Sequence, residues 1–158
     1  MSDSARRLEL GILSDTHGLL RPEAVRELTE VDHILHAGDV GDSKILNSLR
    51  ALAPLTAIRG NVDVSGPCAE LPATEAVELG RCLFYLVHAI EDLDVVPSVA
   101  GISVVVYGHS HRPEIKERDG VIYLNPGSAG PRRFNLPVTL AKAVIENHQV
   151  QVRLIELQ

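Results

Sequence analysis

The chain is short of cysteine, of basic charge and of long apolar runs. Only Cys68 and Cys82 occur among its 158 residues, and neither belongs to a Cys-x-x-Cys pair. That spacing argues against thiolate zinc. Cys82 lies in an apolar run and reads as a buried free thiol, and nothing calls for a disulfide. Lys and Arg total 15 against 21 Asp and Glu, a formal charge of −6. Such a balance gives no electrostatic footprint for gripping nucleic acid or an anionic membrane. Arg6-Arg7 and Arg132-Arg133 are the only adjacent basic pairs. No apolar run approaches the length of a bilayer span. Residues 1–7 are polar and lack the apolar core of an export signal. Repeats, low-complexity tracts and linkers are also missing. A single domain over 1–158, located in the cytoplasm, is therefore expected.

Apolar β-branched runs and helical spacings alternate along the first half. Strands are expected over 8–14, 33–37 and 55–58. A helix is expected over 21–29, with Pro22 suited to its first turn. A second helix, capped by Asp42 or Ser43, carries Ile45, Leu46, Leu49 and Leu52 at helical spacing. This β-α-β-α-β opening implies parallel strands and right-handed crossovers. The second half reads differently. A Gly/Pro-rich loop covers 64–72, and strands 74–79 and 81–87 join at Gly80. A short helix is expected over 92–100, with Pro97 casting doubt on its second half. Strand 102–107 follows. Strands 114–118 and 121–124 flank Asp119-Gly120, a type I′ hairpin signal. A polar loop covers 125–137, and a closing hairpin pairs 138–145 with 150–157. Two mixed sheets packed face to face with helices outside would bury both sets of strands.

The chemistry sits where apolar runs stop. Strand one runs into Asp15-Thr16-His17, and strand two into Gly38-Asp39. Strand three leads through Arg59 to Gly60-Asn61. Another strand ends at His88, and Val104-Val105-Val106-Tyr107 runs into Gly108-His109-Ser110-His111. Ligands at the carboxyl ends of strands are the rule for open α/β sheets. In extended backbone, His109 and His111 would point to one side. A lone Asp or His at such a place ordinarily caps a turn; the ordered set of seven points to metal. Carboxylate, amide and imidazole donors without thiolate suit Mn²⁺, Fe, Zn²⁺ or Mg²⁺. Seven side chains exceed one tetrahedral ion, so two ions sharing a carboxylate bridge are expected.

Asp-x-His, Gly-Asn-Val-Asp, a lone strand-end His, Gly-His-Ser-His-Arg-Pro and Leu124-Asn125-Pro126-Gly127-Ser128, in this order, resemble the calcineurin-like metallophosphoesterase superfamily. The likeness is greatest to its small prokaryotic phosphodiesterase branch, and the related retromer scaffold subunit shares the outline. The resemblance implies a four-layer α-β-β-α sandwich and hydrolysis of a phosphate ester, with phosphodiesterase activity expected foremost. It places Asp15, His17, Asp39 and His111 on one ion and Asp39, Asn61, His88 and His109 on the other. Asp39 would bridge. A hydroxide held between the ions would attack phosphorus in line, with His17 or His109 stabilising the phosphoryl oxygens. Mn²⁺ is expected foremost, with Fe, Zn²⁺, Mg²⁺ and Ni²⁺ as alternatives. Two positions depart from the pattern. Val62 stands where many members carry a proton-donating histidine, and Ala89 stands where many carry glycine.

Asn61 and Arg132 are the candidate contacts to a small phosphorylated substrate. Either Arg132 or Arg133 could meet a phosphate, although a solvated surface is the default for both. His33, His36 and His148 have no ligand context and read as packed or exposed. Asn125-Pro126-Gly127-Ser128 reads as a turn that also orients groups behind the site. The competing reading is a non-catalytic, metal-binding interaction scaffold of the same fold. Nuclease activity is disfavoured by the acidic charge. An oligomer is compatible with the sequence.

Overall fold

Three separate apolar clusters define the layering. In β1 (Leu8–Leu13), Leu10 and Ile12 face one way and Leu13 the other. Leu13 packs with Ala24 and Leu28 of α1 (Pro22–Leu28) and with Ile45, Leu46 and Leu49 of α2 (Ser43–Arg50). Leu10 and Ile12 instead meet Phe84, Leu86, Val104 and Val106 from the opposite sheet. Alternation of side chains along one strand thus feeds two cores. A third cluster, including Val105 and Tyr107, is covered by Ile90, Leu93 and Val95. The computed structural model describes residues 7–157. Of the polar stretch 1–7, all but Arg7 lies outside the described residues.

The first sheet has the order β10-β9-β1-β2-β3, with β2 at His33–His36, β3 at Leu55–Ala57, β9 at Thr139–Glu146 and β10 at Gln149–Glu156. β1, β2 and β3 run parallel, as the opening pattern implied. The second sheet has the order β4-β5-β6-β8-β7, from β4 (Thr74–Leu79), β5 (Cys82–Val87), β6 (Val104–Val106), β7 (Glu114–Arg118) and β8 (Val121–Asn125). Here β5, β6 and β8 are parallel and the two flanking pairs antiparallel. Both sheets are mixed, and the α/β sandwich is as read from the sequence.

All three hairpins turn through two left-handed residues: Gly80-Arg81, Asp119-Gly120 and Asn147-His148. This is the type I′ signature, whose twist suits antiparallel strands. Asp42 is the cap of α2, its carboxylate accepting the Lys44 N–H at 2.9 Å. Two expectations need correction. The loop over 64–72 contains a one-turn helix, α3 (Gly66–Ala69). The helix over 92–100 is not continuous: a 3-10 turn at Ile90–Asp92 gives way to irregular chain, and α4 (Pro97–Ala100) starts at the proline. Pro lacks an N–H, which is no loss at the first helical position. Pro97 therefore begins the helix it was expected to end. The outer layer on this sheet is accordingly thin.

Candidate metal centre

Asp15 and His17 follow β1, Asp39 follows β2 and Asn61 follows β3. His88 follows β5, and His109 and His111 follow β6. These parallel strands from both sheets deliver their carboxyl ends to one edge of the sandwich. Asp15, His17 and His111 form one donor group there, and Asp39, His88 and His109 another. Within each group one donor atom per residue lies within 4.8 Å of the others. His109 Nδ1 is 3.1 Å from Asn61 Oδ1, which places Asn61 beside the second group. All seven residues singled out in the sequence are thus brought together.

The oxygens are sorted by what already holds them. Asp15 Oδ2 accepts from Ser14 Oγ at 2.8 Å and from the His109 N–H at 3.1 Å. Asp15 Oδ1 is buried with no hydrogen-bond partner. It lies 3.5 Å from His111 Nε2, 3.6 Å from His17 Nε2 and 3.8 Å from His88 Nε2. Asp39 Oδ1 accepts the Val62 N–H at 2.9 Å. That leaves Asp39 Oδ2 between the groups, 3.1 Å from His88 Nε2 and 3.6 Å from His17 Nε2. His88 Nδ1 donates to the Ala37 carbonyl at 2.7 Å, so in the neutral ring Nε2 carries the lone pair. His88 Nε2 is itself buried outside hydrogen-bonding geometry. His17 and His111 approach Nε2 to Nε2 at 3.2 Å. Buried polar atoms are almost always paired. Asp15 Oδ1 and His88 Nε2 are two that a cation would satisfy.

Backbone conformation departs from the sequence reading. Asp15, His17, Asp39, His109 and His111 all have φ between 45° and 74°. His109 and His111 are therefore not on extended chain, and they serve different donor groups. A left-handed residue with a side chain costs on the order of 1 kcal/mol, and such residues cluster at functional sites. Aspartate and histidine tolerate this region better than most.

Neighbouring loops hold this geometry. A side chain on Gly60 would overlap the Asp39 carboxylate, and one on Gly108 would overlap Ser14 and Asp15. The glycines before Asn61 and His109 are thus places where another loop's ligand passes. Asn125 Nδ2 donates to the Gly108 carbonyl and to Ser110 Oγ, both at 3.2 Å. Ser128 Oγ donates to the Asp15 carbonyl at 2.9 Å. The Asn125–Ser128 turn therefore buttresses two ligand loops, in line with the double role read for it. Asp63 accepts N–H bonds from Val40, Gly41 and Gly60 at 2.9–3.0 Å, tying the Asp39 loop to the Asn61 loop. His36 is fully buried against Thr16 and Gly38. The sequence reading assigned no task to Asp63 or His36 in holding the loops. Arg132 donates to the Leu136 carbonyl at 3.4 Å, whereas the charge of Arg133 reaches His111.

Electrostatics follow from burial and these contacts. Burial pushes His36 down to about 4, against the pull of Asp15 and Asp63. Burial alone would raise Asp39, but His88 and the Val62 N–H hold it near 2. Burial opposes charge on His88 too, yet Asp39 and the Ala37 carbonyl raise it. His111 is lowered, by burial first. A cleft of about 730 Å³ opens beside the second donor group, lined by Arg59, Asn61, Thr74, His88, Ala89 and His109 among others.

A model of the calcineurin-like phosphoesterase superfamily domain matches residues 8–148. The chain belongs to that superfamily. Among the relatives of this chain is a probable metallophosphoesterase of Methanocaldococcus jannaschii. It is 32% identical over 94% of this chain and 81% of its own. The fold is shared with vacuolar protein sorting 29 of Cryptosporidium parvum, at a TM-score of 0.77 and 16% identity over 96% of this chain and 98% of that one. It is shared also with an archaeal phosphodiesterase, at a TM-score of 0.73 and 24% identity over 94% and 100%. The superfamily is metal-dependent, and this chain carries two candidate metal-ligand groups to match. Among the described residues no helix is long and apolar enough to cross a membrane.

Proposed function

We propose that this protein hydrolyses a small phosphate ester, a diester foremost, with two divalent cations held by the seven converging side chains. The observation that carries the reading is the pair of buried, unpartnered atoms, Asp15 Oδ1 and His88 Nε2, 3.8 Å apart beside Asp39 Oδ2. Asp15, His17, Asp39 and His111 would hold one ion. Asp39, Asn61, His88 and His109 would hold the other. Oxygen and nitrogen donors without sulfur suit Mn²⁺, Fe, Zn²⁺, Mg²⁺ or Ni²⁺ alike, and Mn²⁺ is the first to be tried. Such ions supply Lewis acidity toward a phosphoryl oxygen and a nucleophile at neutral pH.

The chain's own groups do the rest. Asp39 presents a single free oxygen to both half-sites, because its other oxygen is held by Val62. His17 and His109 are the least buried imidazoles of the set and flank the opening where phosphoryl oxygens would lie. Asn61, at the mouth of the cleft, meets the ester. Arg132 and Arg133 are both exposed, and Arg132 donates to the Leu136 carbonyl, so either would meet a phosphate only from the rim. The cleft beside His88 and His109 takes the ester's substituent. The archaeal phosphodiesterase of the same fold favours diesters as the first substrates to try.

The test starts from protein stripped of metal. Bis-p-nitrophenyl phosphate and p-nitrophenyl phosphate are then offered with Mn²⁺, Mg²⁺ or Zn²⁺ restored. Turnover should be absent without metal and return with Mn²⁺. Asp39→Asn should lose both ions by elemental analysis, since one oxygen serves both. Full occupancy in that variant would sink the bridging role. Two bound ions with no ester cleaved across the screen would leave the interaction-scaffold reading in its place.

A further inference from the structure

His36 ends β2 and is wholly buried, yet no carboxylate pairs with its ring among the hydrogen bonds of the described residues. Its two ring contacts have only one consistent assignment. The Gly38 N–H lies 3.1 Å from Nδ1 and can only donate, so Nδ1 accepts. A neutral ring then carries its proton on Nε2, which is 3.0 Å from Thr16 Oγ1. Thr16 Oγ1 must accept that bond, because its own proton goes to the Val40 carbonyl at 2.8 Å. Each donor in the chain Gly38, His36, Thr16, Val40 has one direction, and the tautomer is fixed.

The ends of this chain matter. Thr16 stands between Asp15 and His17. Gly38 and Val40 stand on either side of Asp39. Backbone bonds already run the two loops together, from the Asp15 N–H to Gly38 O and from the His17 N–H to Asp39 O, both at 2.9 Å. The His36 ring adds a side-chain strut across the same pair of loops. It leans on the loop carrying Asp15 and His17 from beneath Asp39.

We propose that His36 is a positioning residue of the metal centre: locked as the Nε2–H tautomer, it sets where Asp39 stands relative to Asp15 and His17. This rests on the two-cation reading above and goes beyond the ligands themselves. Groups that orient metal ligands in this way are typically worth about 10–100-fold in metal affinity. Thr16 is the other half of the device.

The tautomer can be read without any metal. Long-range nitrogen-edited NMR of metal-free protein at neutral pH should show His36 neutral, with its proton on Nε2. The Nδ1–H form, or a charged ring, would overturn the proposal. Calorimetric titration with Mn²⁺ tests the consequence. His36→Asn keeps an oxygen for the Gly38 N–H but cannot reach Thr16. His36→Gln carries a donor at the depth of Nε2 and tests the other bond if the first variant fails to fold. Thr16→Val removes the hydroxyl at constant shape, and Thr16→Ser restores it. Mn²⁺ affinity should fall about 10–100-fold in folded His36→Asn and in Thr16→Val. Thr16→Ser should recover it. The double variant should be no weaker than either single one, because both break one chain. Folded single variants with unchanged affinity, or losses that simply multiply, would overturn the positioning role while leaving the metal reading intact. Absence of Mn²⁺ binding by the unsubstituted protein would overturn both.

Discussion

Val62 turns a backbone N–H to Asp39 and an exposed isopropyl group to solvent. It has no proton to give a departing alkoxide. Its neighbour Asp63 is no substitute donor, since three backbone N–H groups hold its carboxylate between the loops. Turnover should therefore fall steeply as the leaving group becomes more basic. A series of aryl diesters of rising leaving-group pKa measures this, with Val62→His alongside. General acid catalysis supplies about 10²–10⁴-fold, so the variant should gain most on the poorest leaving groups. A flat dependence in the unsubstituted protein would show that another residue donates. At this scale the sequence was readable where identity is the chemistry: Asp, Asn and His at strand ends announce ligands. It was silent where meaning comes from contact. Nothing in the letter at position 36 says that its ring meets Thr16, and nothing at 109 or 111 says that φ is positive. Those facts arise when two sheets meet.

Elements show the same division. The Asp119-Gly120 hairpin was legible because its turn chemistry is local. The start of α4 was misread because Pro97 carries one rule for helix interiors and the opposite for helix beginnings. The glycines separate further. Gly120 has φ of 77° and open space around it, whereas Gly60 lies against the Asp39 carboxylate. Replacing each with alanine should give distinct losses. Gly120→Ala should cost about 1–2 kcal/mol of stability from the left-handed backbone alone, with Mn²⁺ affinity unchanged. Gly60→Ala should displace Asp39 and weaken Mn²⁺ binding at least about tenfold, since a shifted ligand shell costs that much. Chemical unfolding and calorimetry on the pair distinguish them. Equal Mn²⁺ affinity in both variants would refute the reading of Gly60.

For the whole molecule, the cations and the fold should be linked. Five left-handed ligands and three unpartnered buried atoms, Asp15 Oδ1, His88 Nε2 and His111 Nδ1, are concentrated at one edge of the sandwich. Ligands that bind only the folded state stabilise it, by about 2.7 kcal/mol at a hundredfold excess over Kd. In a domain of this size that corresponds to roughly 5–10 °C in Tm. Thermal scans with excess chelator and with Mn²⁺ should differ by that amount, and Asp39→Asn should abolish the difference. A chelator-insensitive Tm in the unsubstituted protein would contradict a cation bound at this edge.

β1 sits in the middle of its sheet, between β2 and β9, and Leu8 finds its partner at Ile145. Synthesis delivers those two residues far apart in time. At about 5–20 residues per second, on the order of 10 s separates them on the ribosome. β2 and β3 emerge early, β2 pairing with one side of β1 and β3 with the far side of β2. The other side of β1, with its row of backbone hydrogen-bonding groups, must wait until β9 has left the exit tunnel. During that interval Asp15 and His17 are already made, but the sheet that holds them is half built. The nascent chain thus passes through a stage with an open strand edge, when chaperone protection matters most.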